Sequence, residues 1–556
     1  MSLAINPQKN QAQPLSIALT AEEQSNQDAL RKVISKVIPK IEEQYKDLPL
    51  PKDVRNISLL TETPGGRGDI VAAAKVIELL EKISPFLTFN WLVQPCRHEA
   101  DKFLRVSNPS NVKLSWNGSD EVNADLLITG PAETMWGIKY IEKKFNLNLN
   151  GPEFKFLEAG TSSNYPFALK FSITQSMLKN ENQSEVNSKS FSEAYERMLS
   201  TKPLHGRDGT CMGIGDARGL FFDQSRIDTT LSREYCCPKP LLKIEDNSLR
   251  NDILGSLGSK GENQLPDYDH YSFNSGYAHR PSSWGKFIDL VAIHEQGKHV
   301  TIVLNQYGEF DRPNITEYCN VIFTPERLKL LQDQGYGNIA VKGEGDEEVT
   351  LQKSKDEPQR NLTVILRPSF SPSDMKQLQL ASERLIATGM NSPAESWASR
   401  CKLFLYEDVG NGGVTHIFLE QQIQVANEIN PKLGRLLELS GKKNSPLTKE
   451  EMEEVITLLQ DPEISEATLK FCKHVTSHYR FEDAFISSLK RAIWHYKKPE
   501  LINIEAEAID EEFKQEMLNC LEGLELKERV INIHNIPLIG ERVQEAVSQY
   551  LESIVE

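Results

Sequence analysis

The stretch Leu385-Ile386-Ala387-Thr388-Gly389-Met390-Asn391-Ser392-Pro393-Ala394-Glu395-Ser396-Trp397-Ala398, followed by Leu403-Phe404-Leu405-Tyr406-Glu407, constrains the fold more than any other. An apolar run, a glycine, a polar turn and a second apolar run read as buried strand, turn, helix start and strand. Ser392 or Asn391 is placed to cap the helix, and Pro393 suits its first turn. Glu395 then falls in that first turn, where the helix dipole favours a carboxylate. Backbone N–H groups at such a terminus suit a diphosphate, and a nearby carboxylate suits ribose hydroxyls. An ordinary strand–helix unit has the same sequence, so the remainder of the chain must decide.

The same alternation recurs. Asn56–Leu60 reads as a strand running into Thr63-Pro64-Gly65-Gly66-Arg67-Gly68-Asp69, after which Ile70, Ala73, Ala74, Ile77, Leu80 and Ile83 return at helical spacing. Strands are expected at Phe89–Val93, Ala124–Gly130 and Phe154–Gly160, with a helix near Glu133–Lys144. A second series opens near Tyr271. It has helices at Ser283–Glu295 and Asp374–Ser382, and strands at Val300–Leu304, Asn320–Phe323, Asn338–Val341 and Leu362–Leu366. Strands alternating with helices predict an α/β fold with parallel sheets.

The expected units are a helical N-terminal extension at 1–50, an α/β half at 51–270, a second at 271–425 and a helical region at 426–556. The extension holds a helix over Thr20–Tyr45. The first half carries a polar helical insertion at about 175–205 and an irregular tract from 206 that includes Met212–Phe222. Helices at Lys449–Leu459 and Ser465–His478 and an acidic stretch at Ile504–Glu525 complete the chain.

Bulk properties exclude several classes. The chain of 556 residues is 39% apolar, enough for large cores, and its net charge of −16 disfavours a nucleic-acid backbone binder. Eight scattered cysteines, with Cys236-Cys237 adjacent, fit a reducing compartment and a cytoplasmic protein. Met1–Gln13 lacks an apolar signal core, and no run approaches the roughly 18 apolar residues of a membrane span. His294 and His299 stand five apart, one more than a zincin helix uses. Gly213–Gly219 is one residue too long for the dinucleotide fingerprint, and the loop at Gly65 lacks a P-loop ending. Asp267-Tyr268-Asp269 matches a metal-binding Asp-x-Asp but follows Pro266 and reads as a turn. No metal is expected.

With these loops in view, the chain resembles the GT-B glycosyltransferases, built as two facing Rossmann-like domains. Thr63–Ile70 looks like the loop after the first strand of bacterial heptosyltransferases and protein-arginine rhamnosyltransferases. Its Asp serves there as general base or positions the acceptor, which carries over to Asp69. Gly389–Trp397 is similar to the donor-nucleotide loop of those enzymes and of lipid-linked N-acetylglucosaminyltransferases, whose acidic residue contacts the ribose; here that is Glu395. Tyr406-Glu407-Asp408 and His416 fall where the rhamnosyltransferases carry a tyrosine, acidic residues and a histidine. The resemblance covers 56–425, and the longer middle and both extensions depart from it.

It implies sugar transfer from a nucleotide-sugar to a protein or small-molecule acceptor, with no tightly bound cofactor. Asp69 and His279 are the catalytic candidates. Gly65, Gly66, Gly68, Tyr277, Arg367, Ser369, Gly389, Asn391, Ser392, Glu395 and Glu407 are the donor-binding candidates. Each also has a plainer reading: Asp69 as a helix cap, the glycines as a flexible turn, Arg367 as a surface ion-pair residue, His279 as a structural histidine. A sugar-nucleotide epimerase and a non-catalytic scaffold are the alternatives. Glu511–Glu516 also resembles the Glu-rich tail signals of some bacterial secreted effectors, or is a solvated helix face.

Overall fold

The computed structural model describes most of residues 43–62, all of 68–94, most of 104–115, then 126–129, 168–170, most of 212–231 and most of 238–497. The expected elements at Thr20–Tyr45, Glu133–Lys144, Phe154–Gly160, 175–205 and Ile504–Glu525 lie wholly or almost wholly outside the described residues, as do Gly65, Gly66 and Glu511–Glu516.

The first sheet begins with β1 (Asn56–Glu62), α1 (Gly68–Ile83) and β2 (Thr88–Gln94), followed by β3 (Val112–Ser115), β4 (Leu126–Thr129) and β5 (Ala168–Lys170). Its order is β3-β2-β1-β4-β5 and every pairing is parallel. The face of α1 predicted from spacing is buried at Ile70, Ala73, Ala74, Ile77 and Leu80. Between β1 and β2 the buried Trp91 indole donates to Thr61 Oγ1 at 2.9 Å, which satisfies its one donor inside the core.

Next come α2 (Gln224–Leu231) and α3 (Asn247–Ser256), separated by a 3₁₀ turn at Lys239–Lys243. Leu241, Ile244, Leu249, Ile253 and Leu254 pack with Phe273, Val303 and Ile365 of the second sheet. The end of the tract assigned from sequence to the first half is therefore built against the second.

The second sheet contains β6 (Tyr271–Gly276), α4 (Pro281–His294), β7 (His299–Asn305), α5 (Ile315–Ile322), α6 (Pro325–Asp333), β8 (Tyr336–Lys342), β9 (Glu348–Lys353) and β10 (Arg360–Arg367). It continues with α7 (Pro372–Ala381), β11 (Arg384–Thr388), α8 (Asn391–Ala398) and β12 (Lys402–Glu407). The order is β12-β11-β6-β7-β10-β8-β9, parallel except for the β8–β9 hairpin. The expected strand at Asn320–Phe323 is instead the end of α5. Ile315, Tyr318, Cys319 and Ile322 are buried at a helical period, which the short apolar run at its end concealed.

Helices α9 (Val414–Ile429), α10 (Pro431–Gly441), α11 (Lys449–Gln460), α12 (Pro462–His478) and α13 (Phe481–Lys497) follow. Thr448 and Glu451 form a capping box on α11. Trp397 of α8 lies between Phe418 of α9 and Phe471 of α12, so these helices cover the second sheet. The turn before α13 pairs with Leu220, whose N–H donates to Tyr479 O at 2.8 Å while Phe481 N–H donates to Leu220 O at 3.1 Å. Lys490 of α13 then bonds the carbonyl of Lys46, tying the last helix to the start of the described chain.

One close approach fixes the centre of the second sheet. Gly276 ends β6 where a Cβ would collide with the side chain and backbone carbonyl of Ile386 on β11. Gly276→Ala is expected to lower stability by about 1–3 kcal/mol, the usual cost of overpacking a core. An unchanged melting temperature would show that β6 and β11 are not held this tightly.

Candidate functional site

Strand order reverses beside β6. The chain goes from β6 to β7 on one side, and after β10 returns to place β11 on the other. In parallel sheets such a switch point leaves a crevice beyond the carboxyl ends of the strands, where ligands bind. A cavity of about 1000 Å³ lies there. One wall comes from the segments following β6, β10 and β11: Tyr277 and His279, Ser369 and Phe370, Gly389 to Ser392 and Glu395. The opposite wall is the face of α1 carrying Val71, Ala72, Lys75 and Leu79, flanked by Phe221, Phe222 and Glu482.

The loop after β6 is clamped from both sides. Asn305 of β7 takes the Ala278 N–H on Oδ1 and gives its own amide to the Ala278 carbonyl, each at 3.1 Å. From β12, the buried Glu407 carboxylate accepts the N–H of His279 at 2.7 Å and of Arg280 at 2.9 Å. Arg280 is the N-cap position of α4 and makes no side-chain cap, so Glu407 does that work from another strand. Tyr277 and His279 meet edge to face, with ring centroids 5.2 Å apart. Burial pushes the His279 imidazole below its ordinary range; Glu407 opposes this and Arg280 adds to it. Burial thus favours the neutral imidazole.

After β11 the chain turns at Gly389, whose φ of +67° is a left-handed value and whose missing Cβ faces open space. Tyr406 donates its hydroxyl to the Gly389 carbonyl at 3.0 Å and fixes the turn. Helix α8 then starts at Asn391, one residue earlier than a cap at Asn391 requires and two earlier than one at Ser392. Met390 occupies the N-cap position without a side-chain cap, so both polar residues sit in the first turn and line the cavity.

Glu395 is not isolated. Arg226 of α2, only 4% exposed, stands 3.6 Å from its carboxylate. The same guanidinium bonds Asp223 at 3.3 Å, Ser399 at 3.3 Å and Gln379. Lys376 of α7 completes the cluster, bonding Asp223 at 3.2 Å and Ser225 at 2.6 Å. Burial opposes ionisation of Asp223, yet the Ser225 hydroxyl, Lys376 and Arg226 together hold its carboxyl well below the usual range. None of these partners was singled out from sequence. Arg226 lies in the irregular tract, and a lone Arg far along the chain from Glu395 carries no local signal.

Of the sequence candidates, Tyr277, His279, Ser369, Gly389, Asn391, Ser392 and Glu395 line one cavity. Arg367 does not. It is 2% exposed, and its guanidinium turns to Asp252 and to the carbonyl of Gly343, so it is neither a surface ion-pair residue nor part of the cavity wall. Glu407 is likewise withdrawn from the cavity lining by its backbone partners. Gly68 and Asp69 are the first residues of α1, directly ahead of the turns that form the opposite wall. His416 stands 3.0 Å from buried Asp408, which also takes the Thr415 hydroxyl at 2.8 Å, and neither His416 nor Asp408 lines the cavity. Asp267-Tyr268-Asp269 forms the expected turn, with His270 N–H donating to Asp267 O at 3.3 Å. Among the described residues, no group of three or more His, Cys, Asp or Glu side chains is placed to hold a metal, and no helix is long and apolar enough to cross a membrane.

A family model described as "Protein of unknown function (DUF562)" matches residues 283–426, from within α4 to within α9. No curated protein matches the chain. Among solved structures, a glycosyltransferase from Rickettsia africae is 10% identical, with 80% of this chain and 99% of that one aligned at a TM-score of 0.39. A protein from Anabaena, solved with UDP and glucose, is 11% identical over 78% of this chain and 98% of that one, at 0.36. A structure describing EarP-mediated arginine glycosylation of translation elongation factor EF-P is 11% identical over 80% of this chain and 99% of that one, at 0.36. The similar structures span several glycosyltransferases and single out neither the heptosyltransferases nor the arginine rhamnosyltransferases. Scores this low leave the functional reading to the site itself.

The depressed carboxyl of Asp223 has a consequence for acid stability. Its contribution is fully present above the unfolded carboxylate pKa near 3.9 and is lost as pH falls toward the folded value. Asp223→Asn is expected to melt earlier than the wild type at pH 7 and to show a shallower loss of stability between about pH 5 and pH 3. Identical acid limbs in the two proteins would remove the cluster from this role.

Proposed function

We propose that this chain is a nucleotide-sugar-dependent glycosyltransferase of GT-B type, with the second sheet binding the donor and the α1 wall facing the acceptor. One observation carries the reading: segments after three parallel strands converge on a single cavity at the switch point, with an uncapped helix start and a carboxylate in its wall. The first turn of α8, at Asn391 and Ser392, holds the diphosphate, and Gly389 allows the backbone to approach it. Glu395, kept in place by Arg226, takes the ribose hydroxyls. His279, immobilised by the clamp on its loop, hydrogen-bonds the donor from the β6 side of the same wall.

Transfer requires an acceptor proton to be removed as its oxygen or nitrogen attacks the anomeric carbon, while the bond from that carbon to the diphosphate breaks. Asp69, at the start of α1, is assigned the proton. The departing nucleoside diphosphate is stabilised by the α8 terminus. Donor and acceptor seated between the two walls displace water from the reacting centre.

Thermal shifts with UDP-, GDP-, dTDP- and ADP-sugars test the donor site, since a ligand that binds only the native state raises its melting temperature. One responder is expected, and Glu395→Ala should weaken that ligand by roughly tenfold, the value of a charged hydrogen bond. Asp69→Asn should abolish turnover and leave donor affinity unchanged. A flat panel with folded protein would favour a non-catalytic scaffold, and conversion of the donor without an acceptor would favour an epimerase.

A further inference from the structure

The acceptor wall contains two polar groups that its other interactions leave unused. Around them the lining mixes apolar Val71, Ala72 and Leu79 of α1, Phe221 and Phe222 with the charged Glu78, Lys82, Arg480 and Asp483. Glu482, in the first turn of α13, uses Oε1 to accept the Phe222 N–H at 3.1 Å. Its Oε2 is buried and makes no hydrogen bond among the described residues. Lys75 of α1 has a buried ammonium nitrogen that is also without a hydrogen-bond partner among them. Burial raises the Glu482 carboxyl above its ordinary range, while its own N–H, that of Phe222 and then the nearby charges of Lys75 and Arg480 hold it down. Lys75 and Glu482 thus sense each other without forming an ion pair, and both residues line the cavity.

A buried carboxylate oxygen and a buried ammonium are each costly to leave unsatisfied. A hydroxyl satisfies both at once, because it donates to the carboxylate and accepts from the ammonium. An ether lacks the donor, an ammonium ligand repels Lys75, and a carboxylate ligand repels Glu482.

We propose that Lys75 and Glu482 form a seat for a hydroxyl group on a ligand with an apolar portion, which places the acceptor among molecules that join a hydroxyl to apolar carbon. As a statement about the acceptor, this rests on the glycosyltransferase reading; as a statement about binding, it stands on the two side chains. The seat selects the ligand by its hydroxyl, and Val71, Ala72 and Leu79 of α1 with the two phenylalanines take its apolar portion.

The test uses the full-length protein with benzyl alcohol, benzyl methyl ether, benzylamine and benzoate, and reads affinity by ligand-observed NMR. The alcohol is expected to bind at least roughly tenfold more tightly than the ether, with amine and acid weaker than the alcohol. Lys75→Met and Glu482→Gln should each remove that preference while leaving ether binding unchanged, which also reports that each variant is folded. Equal binding of alcohol and ether to the wild type, or an undiminished preference in both variants, would overturn the seat. The nucleotide-sugar panel separates this from the parent reading. Alcohol selectivity with a flat panel keeps the seat and removes the transferase. A responding donor without alcohol selectivity keeps the transferase and removes the seat.

Discussion

A single buried carboxylate sets the geometry on which the site depends. Glu407 ends β12, yet its oxygens reach past β11 to the N–H groups of His279 and Arg280 after β6. Hydrogen bonds to a charged acceptor contribute about 1.5–3 kcal/mol each, so two of them hold a short loop firmly. Asn305 closes the same loop from β7. Three strands thereby determine where His279 stands, and the absent Cβ of Gly276 lets β6 and β11 come close enough for the arrangement to form. A loop fixed in this way presents a rigid wall, as a binding constellation requires.

The other wall is bound to the first by elements far apart in sequence. Arg226 and Asp223 belong to the tract between the sheets, and through Lys376, Gln379 and Glu395 they dock it on α7 and α8. The return of α13, zipped to Leu220 and bonded through Glu482 to Phe222, brings a C-terminal helix onto the cavity. The cavity is lined from both sheets' surroundings, so its electrostatics mix a cationic cluster with several carboxylates. No single charge sign dominates the lining.

How much of this was legible depended on whether the cause was local. Strands such as β7 and β10 are buried along most of their length and read as continuous apolar runs. The α11 boundary follows from Thr448 and Glu451, a signal contained in four residues. β9 carried no such mark: an edge strand with Glu348, Thr350 and Gln352 buries little and needs little hydrophobicity. β3 and β5 are too short for a period to show. The candidates after β10 and β11 were readable because each follows a strong apolar strand, whereas Tyr277 and His279 follow β6, whose YSFNSG carries no apolar run and gave no strand signal. The destination of Arg367 and Glu407 was not, since Asp252 and the His279 amide are brought to them only by the sheet. Arg226, Lys75 and Glu482 depend on contacts between distant elements and leave no pattern in the chain.

Hydrogen exchange with and without the best-responding nucleotide-sugar tests the central claim, that the ligand occupies the switch-point crevice of the second sheet. Protection is expected at 277–280 and 388–395, the segments after β6 and β11, with little change at the distant β8–β9 hairpin. Binding accompanied by protection elsewhere, and none at these two segments, would contradict the account.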